Sequence, residues 1–468
     1  MTYSIPITIS TESSSPPRPS RVSYRAVRLP EVSSKLGQEP AEEAPFRKEL
    51  PVRPPRLRNW KEMSDAQQRR TLIFVFLTVF LDLLGAGILI PIMPYLVRQF
   101  RTDAFTVGML SVAFSIAQFI AAPVLGALSD RIGRRPVLIF SILGSAFGYF
   151  LFGWAGSLWV MFLARIVDGA TGGNISTAMA AIADTSAPKD RAKNFGLIGM
   201  AFGLGFIIGP ALGGLLSKIS LQAPAYAAGC IGLCTAAFGY FFFPETLPPE
   251  RRKLGIVTMA ESNPLRSVAA ALARPEIRMF LFALFFLNFA FAGLQTNFSN
   301  YTIERFQFGP DHNAWVFAFI GLLAALMQGV VVRKLIPILG ERKMAIQGFV
   351  LFFLGFLLVA FAPTAFWLFP GVALVAVGSS FTNPTLNSFI SQRSPANEQG
   401  SILGTTQSVL SLTRVAGPAW AGLVFDRFGP SSPYWTGAAF IAFALFLALP
   451  DLRTPASQND NSPLLRST

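Results

Sequence analysis

From Thr71 onward the chain repeats one pattern: an apolar run of about 20 residues, long enough to cross a ~30 Å hydrocarbon core, followed by a short polar break. Twelve such runs can be marked, at 72 to 96, 106 to 127, 137 to 156, 158 to 183, 194 to 217, 223 to 243, 279 to 303, 312 to 333, 342 to 362, 365 to 390, 401 to 424 and 432 to 450. Lipid offers the backbone no hydrogen bonds, so runs of this length and number must be helices that satisfy their own N–H and C=O groups. The expected fold class is therefore an all-α membrane protein of twelve transmembrane helices. Composition agrees: 52% of the 468 residues are hydrophobic and 14% charged, too apolar for a water-soluble fold of this size.

The formal net charge of +14 raises the question of nucleic acid, but the charge lies in tails and loops and forms no binding stripe, which argues for no nucleic acid partner. Lys and Arg crowd the breaks after even-numbered spans: Arg131, Arg134 and Arg135; Lys189, Arg191 and Lys193; Arg251, Arg252 and Lys253; Arg333, Lys334, Arg342 and Lys343. Breaks after odd-numbered spans hold only Arg98, Arg101, Lys218, Arg305 and Arg427. This asymmetry places both termini in the cytoplasm. Residues 1–70, rich in Ser, Pro and Arg, read as a disordered cationic tail lying over anionic headgroups. The remaining expected units are an N-terminal six-helix bundle at 71–243, a charged cytoplasmic linker at 244–277, a C-terminal six-helix bundle at 278–450 and a cytoplasmic tail at 451–468.

The two bundles are copies of one unit. With an offset of 208 residues Gly196 matches Gly404, Gly209-Pro210 matches Gly417-Pro418, and Gly214 matches Gly422. Pseudo-symmetric halves of this kind face each other across a cavity near the bilayer midplane.

The densest polar signal is Gly126 to Pro136, GALSDRIGRRP. Asp130, Arg131, Arg134 and Arg135 cannot stay in hydrocarbon, and Gly126 and Gly133 let the chain turn tightly between spans two and three. Four more charges fall inside spans: Asp82 in the first, Arg165 and Asp168 in the fourth, Arg414 in the eleventh. Each costs about 2.5 to 3.5 kcal/mol at mid-helix, so each must face an interior. Asp82 sits near the bilayer centre, where a carboxyl either bonds a neighbouring backbone group and stays neutral, or exchanges a proton in service of a substrate. Asp168 follows Arg165 by three residues on the same helix face, as an internal ion pair or as part of the proton chemistry. Arg414 has three open roles: holding an anionic group, pairing with another span, or lying near a helix end.

Asn288, Gln295, Asn297 and Asn300 in the seventh span, Asn383 and Asn387 in the tenth, and Asn174 and Gln328 need partners in lipid, as glue between helices or as lining of a cavity. The glycine ladder Gly196, Gly205, Gly209-Pro210, Gly213 and Gly214 strips side chains from span five and interrupts its hydrogen bonding, allowing close packing and a bend. Cys230 and Cys234, one turn apart in an apolar run, read as packing residues. There is no phosphate-cradling loop, and the one histidine, His312, serves no Ser/His/Asp set. The chain is expected to need no metal and no cofactor, and not to be an enzyme.

GALSDRIGRR resembles the signature loop between spans two and three of the major facilitator superfamily of transporters. Arg165 to Gly169, RIVDG, resembles its fourth-span arginine motif. Gly196 to Gly214 resembles its fifth-span antiporter motif, and Phe80 to Pro94, FLDLLGAGILIPIMP, is similar to the first span of tetracycline exporters and eukaryotic tetracycline-transporter-like proteins. The resemblance implies two pseudo-symmetric six-helix bundles in the major facilitator fold, alternating access by rocking, and secondary active export of a small amphipathic organic molecule against protons. It implies a cytoplasmic latch of Asp130 and Arg134 with Asp184 holding the outward-open state, proton coupling through Arg165, and Asp82 facing the cavity. The implied partners are a small-molecule substrate, protons and the lipid bilayer, with a functional monomer in the plasma membrane. The rival expectations are an organic-anion symporter or facilitator using Arg165 or Arg414, and a transport-dead receptor or scaffold. One departure is that acidic residues of the exporters' third and ninth spans are missing here, with only Glu341 at a span edge.

Overall fold

The computed structural model describes residues 65–172, 174–186, 191–252, 268–269, 271–394 and 399–453. Most of the expected N-terminal tail, the middle of the linker, the Lys189 loop and the end of the C-terminal tail lie outside these residues.

The first half begins with α1 (Asp65–Leu89), which breaks at Pro91 and continues as the short α2 (Met93–Val97). There follow α3 (Ala104–Ile132), α4 (Arg134–Trp154), α5 (Leu158–Thr171), α6 (Asn174–Thr185), α7 (Arg191–Ser217) and α8 (Ala223–Phe242). The second half holds α9 (Pro275–Phe306), α10 (Pro310–Leu326), a π turn over Met327–Val331, α11 (Val332–Leu339), α12 (Glu341–Ala360), α13 (Ala365–Gln392), α14 (Gln399–Phe428) and α15 (Ser432–Arg453). Among the described residues, ten helical runs are long and apolar enough to cross a membrane, and α7 carries a further apolar stretch at Gly203–Ser217.

The fourth expected span, 158 to 183, is two helices. It parts at Gly172, which a second glycine follows in sequence, and glycine holds a helix poorly. Gln118 of α3 donates to the freed carbonyl of Gly172 at 3.0 Å. The eighth expected span is longer than 312 to 333, because the π turn carries the helix through to Leu339.

Each half has its own apolar core. One surrounds Val75, Val79, Leu138, Ala178 and Ile182, a second surrounds Leu110, Tyr149 and Met161, and the largest, in the second half, surrounds Phe280, Phe298, Phe349, Phe352 and Tyr434. The halves meet where α7 packs on α10 and α3 packs on α14. The repeat extends to backbone conformation: Gly133 before α4 and Gly340 before α12 both have positive φ, +112° and +77°, at equivalent breaks of the two halves.

The glycine ladder explains how closely two helices of the first half cross. A Cβ on Gly209 would come within 2.8 Å of the Gly87 Cα, and one on Gly205 within 2.9 Å of the Leu83 Cβ. Backbones touch along α1 and α7, which fixes the rotation of α1 and turns Thr78 and Asp82 away from α7, toward α4, α6 and α8. Gly214 instead packs against Ala314 of α10, in the other half. Cys230 and Cys234 are exposed on α8 and are free thiols, not core packing.

Candidate functional site

Asp82 is held from the side by α6. The amide Nδ2 of Asn174 donates to Asp82 Oδ1 at 2.9 Å, so the carboxyl is bound by a side chain of another helix and not by a backbone group. Asn174 is 1% exposed, and its own Oδ1 has no partner. Asp82 also lines a small cavity between α1, α4 and α8, with Thr78, Ser145, Tyr149 and Thr235.

Asp168 is buried beside this group. Its Oδ2 accepts from Arg165 Nη1 at 2.8 Å, and Ser145 of α4 lies against the carboxylate. Two close approaches set the position of α5. A Cβ on Gly148 would meet the Asp168 Cβ at 2.9 Å, and one on Gly169 would strike the Phe114 carbonyl of α3. The Arg165 guanidinium stacks on the Phe114 ring at 4.3 Å, a cation–π contact. The two carboxyls expected from the sequence, together with Arg165, therefore gather in one cluster with the uncharged Asn174. Sequence reasoning missed Thr78, Ser145 and Tyr149. Thr78 was within reach, one turn before Asp82 on the same face; Ser145 and Tyr149 come from α4 and carry no local signal.

The glycine-arginine turn is a second cluster. Arg134 bridges Asp130 at 2.5 Å and Asp184 at 3.1 Å, and its Nη1 donates to Ser129 Oγ at 2.6 Å. Glu245 accepts from the backbone N–H groups of Arg134 at 2.8 Å and Arg135 at 3.2 Å. It thereby caps α4 from the far end of the half, a role with no signal in the sequence. Arg135 donates to the Tyr240 carbonyl, and Arg131 to that of Ala127 at 3.1 Å. Gly126 adjoins Ser176 of α6.

Among the candidate amides of the second half, one pair joins two helices. Asn288 Nδ2 donates to Asn383 Oδ1 at 2.9 Å, linking α9 to α13, and Asn387 returns its amide to the Asn383 carbonyl at 2.8 Å. Asn297 is fully buried and its Nδ2 lacks a partner, while Gln295 is half-buried and Gln328 exposed. Glu341 accepts from Ser388 and Gln392 of α13 at 2.8 and 2.9 Å.

Arg414 is exposed, and its direction follows from its neighbours on α14. Gly417 packs on Phe289 and Gly293 of α9, and Pro418 on Gly108 of α3. At about 100° per residue, Arg414 points between those two contacts. Leu423, an exposed apolar residue, lies on the opposite side. Arg414 thus faces the space between the halves, with Gln407 exposed on the same face, and no carboxylate of the described residues pairs with it.

At the end away from the arginine turn the halves are locked. Tyr95 donates to the Phe308 carbonyl and accepts from Asn313 Nδ2, both at 2.7 Å; Ser299 donates to the Pro91 carbonyl at 3.2 Å; Arg98 meets Glu304 at 3.4 Å. Asp426 accepts from the N–H groups of Ala104 and Phe105.

Two six-helix halves, a charged turn between the second and third spans and a buried acidic group on the first now stand together. A family model described as Major Facilitator Superfamily matches residues 75–418 and again 335–467. The chain belongs to the Major Facilitator Superfamily. Within it, the chain is 33% identical over 395 residues to the tetracycline resistance protein, class C, of Escherichia coli, covering 83% of this chain and 98% of that one. It is 30% identical over 429 residues to major facilitator superfamily domain-containing protein 10 of Homo sapiens, covering 82% and 93%. The crystal structure of the human organic anion transporter MFSD10 (TETRAN) superposes with a TM-score of 0.64 at 28% identity, over 81% of this chain and 99% of that one. The nucleoside transporter NupG shares the fold at a TM-score of 0.62 and 15% identity, over 82% and 98%. The protein is an integral, multi-pass major facilitator transporter of small molecules, and not an enzyme.

Proposed function

We propose that this transporter exports a small amphipathic organic compound in exchange for protons, by alternating access of its two halves. The observation that carries the reading is the cluster of Asp82, Asn174, Asp168 and Arg165 inside the first half. A carboxyl at mid-membrane is costly, and here it is held by a neutral amide that can serve both its charged and its protonated form: Nδ2 donates to a carboxylate, and Oδ1 accepts from a carboxylic acid. Arg165 keeps its proton throughout and stabilises Asp168 as an anion.

In the cycle, Asp82, with Asp168, takes a proton from outside as substrate leaves and gives it up inside as the next substrate binds. The antiporter-type ladder supports the exchange mode, since α7 runs backbone to backbone along the helix that bears Asp82. Loop charge supports cytoplasmic termini, which makes the locked end the outer one and the space around Arg414 the one open to the cytoplasm. Plasma membrane and a functional monomer are part of the same reading.

Arg414 favours a second reading for substrate charge. An unpaired guanidinium facing the space between the halves suits an acidic group, and the likeness to a human organic anion transporter points the same way. The test is uptake of ethidium and of carboxyfluorescein into liposomes holding the full chain, with and without an imposed pH gradient. Gradient-driven accumulation of either supports exchange for protons. Loss of carboxyfluorescein uptake in Arg414→Gln, with ethidium uptake kept, assigns Arg414 to an anionic substrate, whereas equal effects on both probes remove it from that role. Flux of both probes indifferent to the gradient contradicts the proton reading.

A further inference from the structure

We infer that the cavity between α1, α4 and α8 binds one water molecule, held by Thr78 and Asp82, which passes the proton between Asp82 and Asp168; this rests on the proton-exchange reading above. The cavity measures about 10 Å³ and is lined by Thr78, Asp82, Ser145, Tyr149 and Thr235 among apolar residues. That volume is the scale of a single water site. A buried water needs two to four polar partners, and the lining residues Thr78 and Asp82 supply two.

The decisive atom is Thr78 Oγ1. Threonines in helices commonly return their hydroxyl to a carbonyl one turn earlier. In this protein Thr171, Thr185 and Thr235 do so, to Val167, Ala181 and Ile231 at 2.9, 2.9 and 2.7 Å. Thr78 does not. It is 1% exposed, its hydroxyl has no partner, and it lines the cavity. It stands one turn from Asp82 on the same face of α1. Asn174 binds Oδ1 of Asp82, and Asp82 itself lines the cavity. Buried polar groups in native proteins are nearly all satisfied, so a hydroxyl left over beside a water-sized space marks a place for a ligand that can hydrogen-bond.

Ser145 closes the path. It lines the same cavity and lies against the Asp168 carboxylate, so it touches both ends of the gap. In the transfer, the O–H bond of the Asp82 carboxyl breaks as the water gains that proton. The water yields one of its own to the Ser145 hydroxyl, which releases its proton to Asp168. Water and serine end neutral, Asp82 ends as carboxylate, Asp168 as acid, and Arg165 loses its ion partner. The ionisable groups facing Asp82 are Asp168 of α5, with Arg165 behind it, and Tyr149 of α4; α6 presents Asn174, α8 presents Thr235, and α7 presents glycines.

The test is time-resolved infrared spectroscopy of the purified full chain after a pH jump, with the carboxyl bands assigned by their loss in Asp82→Asn and Asp168→Asn. In Thr78→Val, which keeps shape and removes the hydroxyl, the transfer between the two bands is expected to slow by about 100-fold, the scale of one positioned proton carrier. Thr78→Ser is expected to restore it. Transfer at the wild-type rate in Thr78→Val, or a valine defect that serine does not repair, overturns the relay. Bands that follow sodium concentration at fixed pH overturn it too, since the cavity then takes a metal cation. If neither carboxyl shows a titrating band at any pH from about 5 to 9, the proton-exchange reading itself fails, and the relay with it.

Discussion

Asp426, near the end of α14, caps the start of α3 in the opposite half: its two carboxylate oxygens accept from the N–H groups of Ala104 at 2.9 Å and Phe105 at 2.8 Å. An anion at a helix N-terminus satisfies donors that have no partner inside the helix and complements its dipole. Here the cap joins the two halves, so it must break for this end of the transporter to open.

Asp426→Ala removes about 1 kcal/mol of capping from the state in which this end is closed. The population open at this end is then expected to rise about 5-fold. Pulsed electron spin resonance distances between labels at the start of α3 and the end of α14 check this, and an unchanged distance distribution contradicts it.

Asp103 caps the same helix from its own side. Burial alone raises the pKa of its carboxyl, but the Thr106 hydroxyl and N–H, the latter at 2.8 Å, and Arg101 outweigh burial and hold it below the ordinary aspartate value. A group with a depressed folded pKa stabilises the fold above its unfolded pKa of about 3.9, and that contribution is lost as pH falls through the folded value. Exchange protection of the Thr106 amide is expected to hold from neutral pH down to about 4 and to weaken below it. Asp103→Ala is expected to lose about 1 kcal/mol of local protection at neutral pH.

The ladder of α7 makes a prediction with its own control. Gly209→Ala sets a methyl 2.8 Å from the Gly87 Cα. It is expected to cost about 1 to 3 kcal/mol and to impair transport. Gly203→Ala, whose methyl would meet only Ala325 at 3.6 Å, is expected to behave as wild type. Melting in detergent and liposome uptake, measured on both variants, separate the two.

Much of this is legible in the chain, because lipid imposes simple rules. Apolar length locates the spans, the 208-residue repeat pairs the halves, and the charges of spans one and four mark a cluster that the fold assembles. The break at Gly172 is not legible, since hydropathy does not register a helix that parts between two equally apolar pieces. Glu245 and Asp426 are hidden for another reason: each acts on backbone N–H groups of a distant helix, and nothing beside it in sequence says so. The amides Asn288 and Asn383 carry a third lesson, as composition cannot tell a residue that lines a space from one that joins two helices.

The central claim is that Asp82 carries the coupled proton. The most direct test is concentrative uptake of a transported fluorescent amphiphile into liposomes under an imposed pH gradient, alongside equilibrium exchange of the same compound without a gradient, for wild type and Asp82→Asn. The account predicts that Asp82→Asn abolishes gradient-driven accumulation and keeps exchange, because the neutral amide imitates a permanently protonated carboxyl. Accumulation by Asp82→Asn at the wild-type level would contradict it and leave the carboxyl a structural partner of Asn174.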